Sequence, residues 1–249
     1  MILRRLAEGI REQNWFTAVL EVLIVVVGIF IGLQVDDWNE VRKDRVREAR
    51  YLERIYDELA LDIDEIQRGI DSAIERRAMG QLLLNALDDL EKVRADPTRF
   101  IIAIQQAGYT YLPTINDHTF EEIKSGGDLA IIRDEALRSA LTGYYSLIKR
   151  LDSLDFFREF FQAAYMESKL GIVTPKQHGK LVPLDETAEF TEEEALEALE
   201  RMRARAGFIE QIPRGTSNEP ALGYFRLWQA TAQDLRARIG AVLGRKARQ

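Results

Sequence analysis

The chain has 249 residues, with 34 lysines and arginines against 41 aspartates and glutamates, a net charge of −7. That balance lacks the basic surplus of a nucleic-acid footprint, so no nucleic-acid partner is expected. Cysteine is absent, which excludes disulfides, thiolate metal sites and thiol catalysis while leaving the compartment open. A charged fraction of 30% with only six prolines fits helices, because alanine and straight-chain residues lose little entropy there.

Residues 1–14 form a short leader carrying Arg4, Arg5 and Arg11. The segment 15–38 then runs from Trp15 to Trp38, and Phe16 to Val35 hold one ionisable group, Glu21. At 1.5 Å per residue, about 20 residues reach roughly 30 Å, the thickness of a bilayer's hydrocarbon core. A cleaved signal peptide has a shorter apolar run ending at small residues, and Gln34-Val35-Asp36-Asp37-Trp38 offers no such site. The expectation is one uncleaved transmembrane helix with the lipid bilayer as its first partner.

Glu21, Val25, Gly28 and Gly32 follow at intervals of four, three and four, which places them on one helix face. Gly28 and Gly32 make the small-xxx-small pattern that lets two spans approach closely, for self-association or for docking on another protein's span. Glycine is also common in spans that do neither. Glu21 sits one turn inside Trp15, where a carboxylate snorkels to the headgroups or takes a hydrogen bond. Trp15 at one end, and Gln34, Asp36, Asp37 and Trp38 at the other, read as membrane-interface residues. The far side carries Arg42, Lys43, Arg45, Arg47, Arg50 and Arg54, and a bare count would place it in the cytoplasm. The rule weakens for long domains, and a short basic leader before a first span stays inside, so the reading adopted puts the large domain outside the cytoplasm.

The run Gly28 to Glu40, GIFIGLQVDDWNE, resembles the signature of an uncharacterised family of bacterial single-span membrane proteins. In that family an Ile/Gly-rich span ends in Leu-Gln-hydrophobic-(Asn/Asp)-(Asn/Asp)-Trp-Asn-Glu. A second matching stretch is Thr119 to Leu129, continuing through Tyr144-Tyr145, and together they cover about a third of the chain. Asp36-Asp37 stand where the family favours asparagine. The resemblance implies a bacterial membrane protein, and with the orientation read from the charges the expectation is an inner-membrane protein with its domain in the periplasm; the resemblance implies no activity and no catalytic residue.

Residues 39–249 read as a soluble helical domain entered by a stalk. No proline and only Gly69 and Gly80 interrupt residues 39–93. Tyr56, Ile63 and Ile70 at position a, with Leu52, Leu59, Ile66 and Ala73 at d, hold a heptad for about three repeats. That spacing fits an oligomeric stalk or, preferably, a helix packed within its own domain; Arg77 and Gly80 break the repeat. Leu83, Leu87 and Leu90 continue or restart the helix to about Arg94. Asp96-Pro97 starts a short helix to about Ala107, and Tyr109 to Pro113 form an aromatic connection. Asn116 or Asp117 caps the next helix, which turns Phe120 and Ile123 inward and stops at Ser125-Gly126-Gly127. Asp134 opens a long helix to about Leu170, with a buried stripe of Leu137, Leu141, Tyr144, Tyr145, Ile148, Leu151, Phe156, Phe160 and Tyr165. Residues 172–190 read as a surface loop. Thr191 to Glu194 is a capping box opening a helix to Ala206, residues 213–218 a second loop, and 219–243 a last helix with Leu222, Phe225, Trp228, Leu235 and Ile239 inward. The fold class is therefore all-α, a transmembrane helix continuing into a stalk helix and then a bundle of about five or six helices.

HExxH, GxxxxGK[ST], GxSxG and GxGxxG are all absent. With His118 and His178 the only histidines, metal sites would need carboxylates, and none is expected; nor is a cofactor. Asp117-His118 beside Glu121 and Glu122 reads as a helix start, and Asp57, Asp62, Asp64 and Glu65 as a solvated face. Tyr109, Tyr111, Tyr144 and Tyr145 are core aromatics or else the lining of a ligand cleft. The function expected is a noncatalytic, membrane-anchored interaction or scaffold protein, an accessory subunit or homo-oligomer joined through its span and helical domain. The alternative is a ligand-binding helical module acting through a membrane partner.

Overall fold

The computed structural model describes residues 15–109, 111–152, 155–181, 188–216 and 219–244, with 15–18, 151–152, 155–158, 215 and 219–221 described by backbone alone. The leader, the side chains of Trp15, Leu151 and Phe156, Pro183, Ser217, Asn218 and the basic tail lie outside the described residues. Among the described residues the chain is helical with no strand, apart from an isolated bridge between Leu170 and Val173. The chain divides into two compact units, Met1–Tyr51 and Leu52–Gln249.

The first helix, α1, spans Trp15–Asn85, 71 residues, and contributes to both units. In the first unit every side chain from Val19 to Trp38 is exposed. This stretch is long and apolar enough to cross a membrane. A helix that is apolar all round and buries nothing within its own chain needs an apolar surrounding from elsewhere.

In the second unit α1 becomes one-sided. Leu52, Leu59, Ile66 and Ala73, the expected d positions, are buried, and so is Ile70 at a, whereas Tyr56 and Ile63 at a are only half-buried. The remaining contact is made by Ile55, Asp62 and Gly69, a row also seven residues apart and all buried. The seam thus turns away from position a at Tyr56 and Ile63 and takes it in again at Ile70, a drift that fits in-domain packing. Gly80 breaks the heptad but not the helix: a Cβ there would lie 2.5 Å from the Thr216 side chain, so the glycine admits a close crossing.

α1 stops at Asn85, and after a turn helix restarts as the short α2, Glu91–Ala95, close to the expected end at Arg94. The Asp89 carboxylate accepts from Glu91 N at 3.0 Å, and the Arg203 guanidinium donates to Leu87 O at 2.7 Å, so the turn's polar groups are met locally. Helix α3, Pro97–Gln106, begins as expected, with Asp96 accepting from Arg99 N and Pro97 at the first turn. Helix α4, His118–Ser125, buries Phe120 and Ile123; Asp117 occupies its N-cap without a side-chain bond. A 3-10 turn, Asp128–Ile131, follows Gly127 at φ 75°.

From Asp134 onward the described residues form α5, Glu135–Asp152, and α6, Asp155–Ser168, and the expected long helix between them passes through 153–154, outside the described residues. Leu137, Leu141, Tyr144, Tyr145, Ile148 and Tyr165 are buried, but Phe160 is 61% exposed. Phe160 and Tyr165 are five residues apart, about 140° around a helix, so one stripe cannot hold both. Gly171, at φ 78°, ends this region.

Both expected loops contain helix. Pro175 opens α7, Pro175–Leu181, with Ile172, Val173 and Gln177 buried around it; a proline at a first helical position sacrifices no intrahelical bond. Helix α8, Glu192–Arg203, carries the full Thr191/Glu194 capping box. Helix α9, Ala206–Thr216, continues through Pro213, because Phe208, Ile212 and Thr216 are buried at intervals of four and hold the segment on its apolar face. Helix α10, Glu219–Val242, buries Leu222, Phe225, Trp228, Leu235 and Ile239 as expected.

Within the second unit α6 packs on α9, α5 on α10, and α8 on α2, α3 and α9. Met79, Leu83, Phe100, Ile104, Tyr165, Leu199 and Phe208 share one core cluster. Stacking of Phe120 on Tyr145, with ring centroids 4.3 Å apart, joins α4 to α5, and Arg236 of α10 lies 4.0 Å over the Tyr56 ring of α1. A Cβ on Gly108 would fall 2.2 Å from the Tyr165 ring, while one on Gly143 in α5 meets nothing within 4 Å. Thermal melts should therefore give opposite signs: Gly108→Ala loses about 1–3 kcal/mol by overpacking, and Gly143→Ala gains up to about 1 kcal/mol of helix propensity.

Candidate functional site

The most unusual polar constellation of the second unit is built on one face of α1. Glu58 and Asp62, four residues apart, point the same way. Asp62 is fully buried. Its Oδ1 accepts from Asn116 N and Asn116 Nδ2, both at 2.9 Å, and its Oδ2 from the Tyr144 hydroxyl at 3.1 Å. No cation is among these partners. Burial raises the Asp62 carboxyl above the ordinary carboxylate range, the donors from Asn116 and Tyr144 pull it back, and Glu58 adds to the rise. Burial, with the nearby acids, likewise raises the Tyr144 and Tyr145 phenols, so both keep their protons. Glu58 Oε1 accepts from Thr119 Oγ1 at 2.5 Å. Glu58 Oε2 and the Tyr145 hydroxyl are buried without a hydrogen-bond partner.

A second constellation gathers at the C-terminal end of α3. Lys169 Nζ donates to Gln105 O at 2.5 Å and to Gln105 Oε1 at 2.8 Å. The other side of that amide meets His178 Nε2 at 3.2 Å; because lysine only donates, the amide oxygen faces Lys169 and its nitrogen donates to His178. Burial pushes the Lys169 amine down to about 8. Arg76 donates to Gln106 Oε1 at 2.7 Å, its Nε has no partner, and burial lowers it too. Two half-buried cations thus close the negative end of the α3 dipole.

The four tyrosines of the expected cleft do not share one environment. Tyr144 and Tyr145 are buried, whereas Tyr109 and Tyr111 are exposed. Tyr111 donates to Glu65 and Tyr144 to Asp62, so both reach α1 about one turn apart. Asp62 departs from the solvated face expected of it: the 111–117 connection crosses α1 there and covers it with Asn116. Glu65 also takes Arg68. Of the Asp117–Glu122 group, Glu121 pairs with Lys149 at 2.6 Å and Glu122 with Arg54 at 2.8 Å, so both glutamates are engaged in surface ion pairs. Among the described residues no three His, Asp or Glu side chains are grouped to hold a metal. In the first unit Glu21, Val25, Gly28, Gly32, Gln34, Asp36 and Asp37 are all exposed, and Trp38 is 68% exposed. Lys169 and Gln105, and the role of Asn116 as partner of Asp62 rather than as a helix cap, were missed in the sequence because amides and single lysines carry no local pattern.

The architecture is that of an all-α protein with one helix suited to cross a membrane. Residues 21–183 match the model of DUF6090, a family of unknown function, and the chain belongs to that family. The match takes in the apolar part of α1, both polar constellations and α7, and stops before α8, α9 and α10. Comparison with curated proteins and with solved structures gave no match.

A raised folded-state value means that the folded chain binds the Asp62 proton more tightly than the unfolded chain. Stability from this group therefore rises as pH falls through the folded value, and levels off below the unfolded value of about 3.9. Melts of the native protein and of Asp62→Asn, compared at each pH, should show the difference shifting in favour of the native protein between pH 7 and pH 4.5. A pH-independent difference would show that the carboxyl is not raised.

Proposed function

We propose that this chain is a noncatalytic, membrane-anchored interaction or scaffold protein, a single-pass protein of the bacterial inner membrane whose helical domain lies in the periplasm. It acts as an accessory subunit or homo-oligomer, joined through its span and its helical domain. The observation that carries this reading is the exposure of every side chain from Val19 to Trp38 in an apolar helix, which is consistent with a bilayer and a span partner supplying what the chain itself does not. A Cβ at Gly28 or Gly32 meets nothing within 4 Å, so the close-approach face is open.

The second reading is a ligand-binding module that signals through a membrane partner. It is favoured by the two buried orphan atoms, Glu58 Oε2 and the Tyr145 hydroxyl, which a small hydrogen-bonding molecule would satisfy.

Gly28→Leu with Gly32→Leu tests the first reading, because a Cβ at either position meets nothing within 4 Å and both lie on an exposed helix. Full-length protein purified in mild detergent or nanodiscs should run as a homo-oligomer or with a fixed partner, and the double variant should release it with no loss of helix content. A lone monomer in both forms would remove the accessory-subunit reading and leave the ligand-binding one.

A further inference from the structure

Just beyond Trp38, α1 carries three cations that no described residue neutralises. Arg42, Lys43 and Arg45 are exposed, and among the described residues none of them pairs with a carboxylate or any other group, unlike Arg47, which pairs with Asp44 at 3.6 Å. At 1.5 Å per residue they stand about 6 to 10 Å along the helix from Trp38, whereas Arg50 stands about 18 Å away. The headgroup layer is about 5 to 7 Å deep on each side of a bilayer, and a guanidinium or ammonium on its long stem reaches several ångströms more. The first three cations are thus within reach of headgroups, and Arg50 is not.

The charges are also sorted around the helix. At about 100° per residue, Arg42, Lys43 and Arg45 fan over about 160° of the circumference, and Asp37, Glu40 and Asp44 occupy the complementary arc. Asp36 alone lies in line with Lys43, about two turns nearer the apolar stretch. A helix leaving a bilayer with one basic and one acidic side presents the basic side to any anionic surface around it, and each cation close to such a surface favours contact about fivefold. Arginine adds a planar fork that matches phosphate oxygens in pairs.

We propose that Arg42, Lys43 and Arg45 form a binding site for the anionic headgroups of phospholipids in the leaflet from which α1 emerges. The site rests on the membrane-span reading. The occupant is the phosphodiester headgroup of a lipid such as phosphatidylglycerol, held by charge and by guanidinium hydrogen bonds while its acyl chains lie along the exposed apolar face of residues 19–35.

Full-length protein is reconstituted into vesicles of phosphatidylcholine with an equal share of phosphatidylglycerol, floated on a density gradient, then extracted gently, and the co-purifying lipids are counted by native mass spectrometry. The native protein should float, and should retain at least about fivefold more phosphatidylglycerol than phosphatidylcholine. Arg42→Gln with Lys43→Gln and Arg45→Gln should float equally and retain the two lipids alike, while Arg50→Gln keeps the native preference. Arg42→Lys with Arg45→Lys, which keeps the charges, should retain most of it. Equal retention by the native protein, or an equal loss on Arg50→Gln, overturns the headgroup site while the span reading stands. Failure of the native protein to float overturns both.

Discussion

The second unit depends on a carboxylate held without a counter-ion. Asp62 is buried, and everything that stabilises its charge is a neutral donor: the Asn116 amide, the Asn116 backbone N–H and the Tyr144 hydroxyl. A buried, unpaired charge costs several kcal/mol unless such donors are fixed in place. Those donors come from segments 54 and 82 residues away, so the cage is also a tie. It holds the 111–117 connection across α1 and sets the register of α5, bringing Tyr145 onto Phe120. Apolar packing between α1, α4 and α5 tolerates small slips, whereas three directed bonds to one carboxylate do not.

The same economy appears with the opposite sign at the end of α3. Arg76 and Lys169 are half-buried, and they are met by amide and carbonyl oxygens of Gln105 and Gln106. The ion pairs described are instead at or near the surface, such as Arg54–Glu122 and Arg99–Glu75, where solvent makes each worth little. Asp62, Arg76 and Lys169 are therefore met by neutral dipoles rather than by opposite charges. Glu58 Oε2, Arg76 Nε, the Tyr145 hydroxyl and Trp228 Nε1 are the buried side-chain atoms that this arrangement leaves over among the described residues.

What the sequence made legible follows from what has a local pattern. The apolar run to Trp38, the Asp96-Pro97 start and the Thr191/Glu194 capping box are each written within a few residues, and all three stand in the structure. Prolines misled: Pro175 and Pro213 read as loop markers, yet one opens a helix and the other sits inside one. Their contexts are decided by Ile172, Gln177, Phe208 and Ile212, whose burial depends on partners far along the chain. Asp62 was illegible for the same reason. Among Asp57, Asp64 and Glu65 it is one acid of a charged face, and its burial is set by a connection some 50 residues away.

The apolar part of α1 and the charges that follow it constrain each other. On the same helical wheel Gly28 and Gly32 lie within about 60° of Lys43 and about 40° of Arg50, so the close-approach face runs on into cations. Two parallel copies closing symmetrically on the glycines would set Lys43 against Lys43 and Arg50 against Arg50, an arrangement that like charges oppose. Among the described residues neither pairs with a carboxylate that would relieve this. Symmetric pairing therefore requires something between the helices at that level, and anionic headgroups supply it for Lys43, whereas a different span bearing acids two turns beyond its apolar end would supply it for both. The glycine face alone admits either partner, and the charges immediately past Trp38 decide between them.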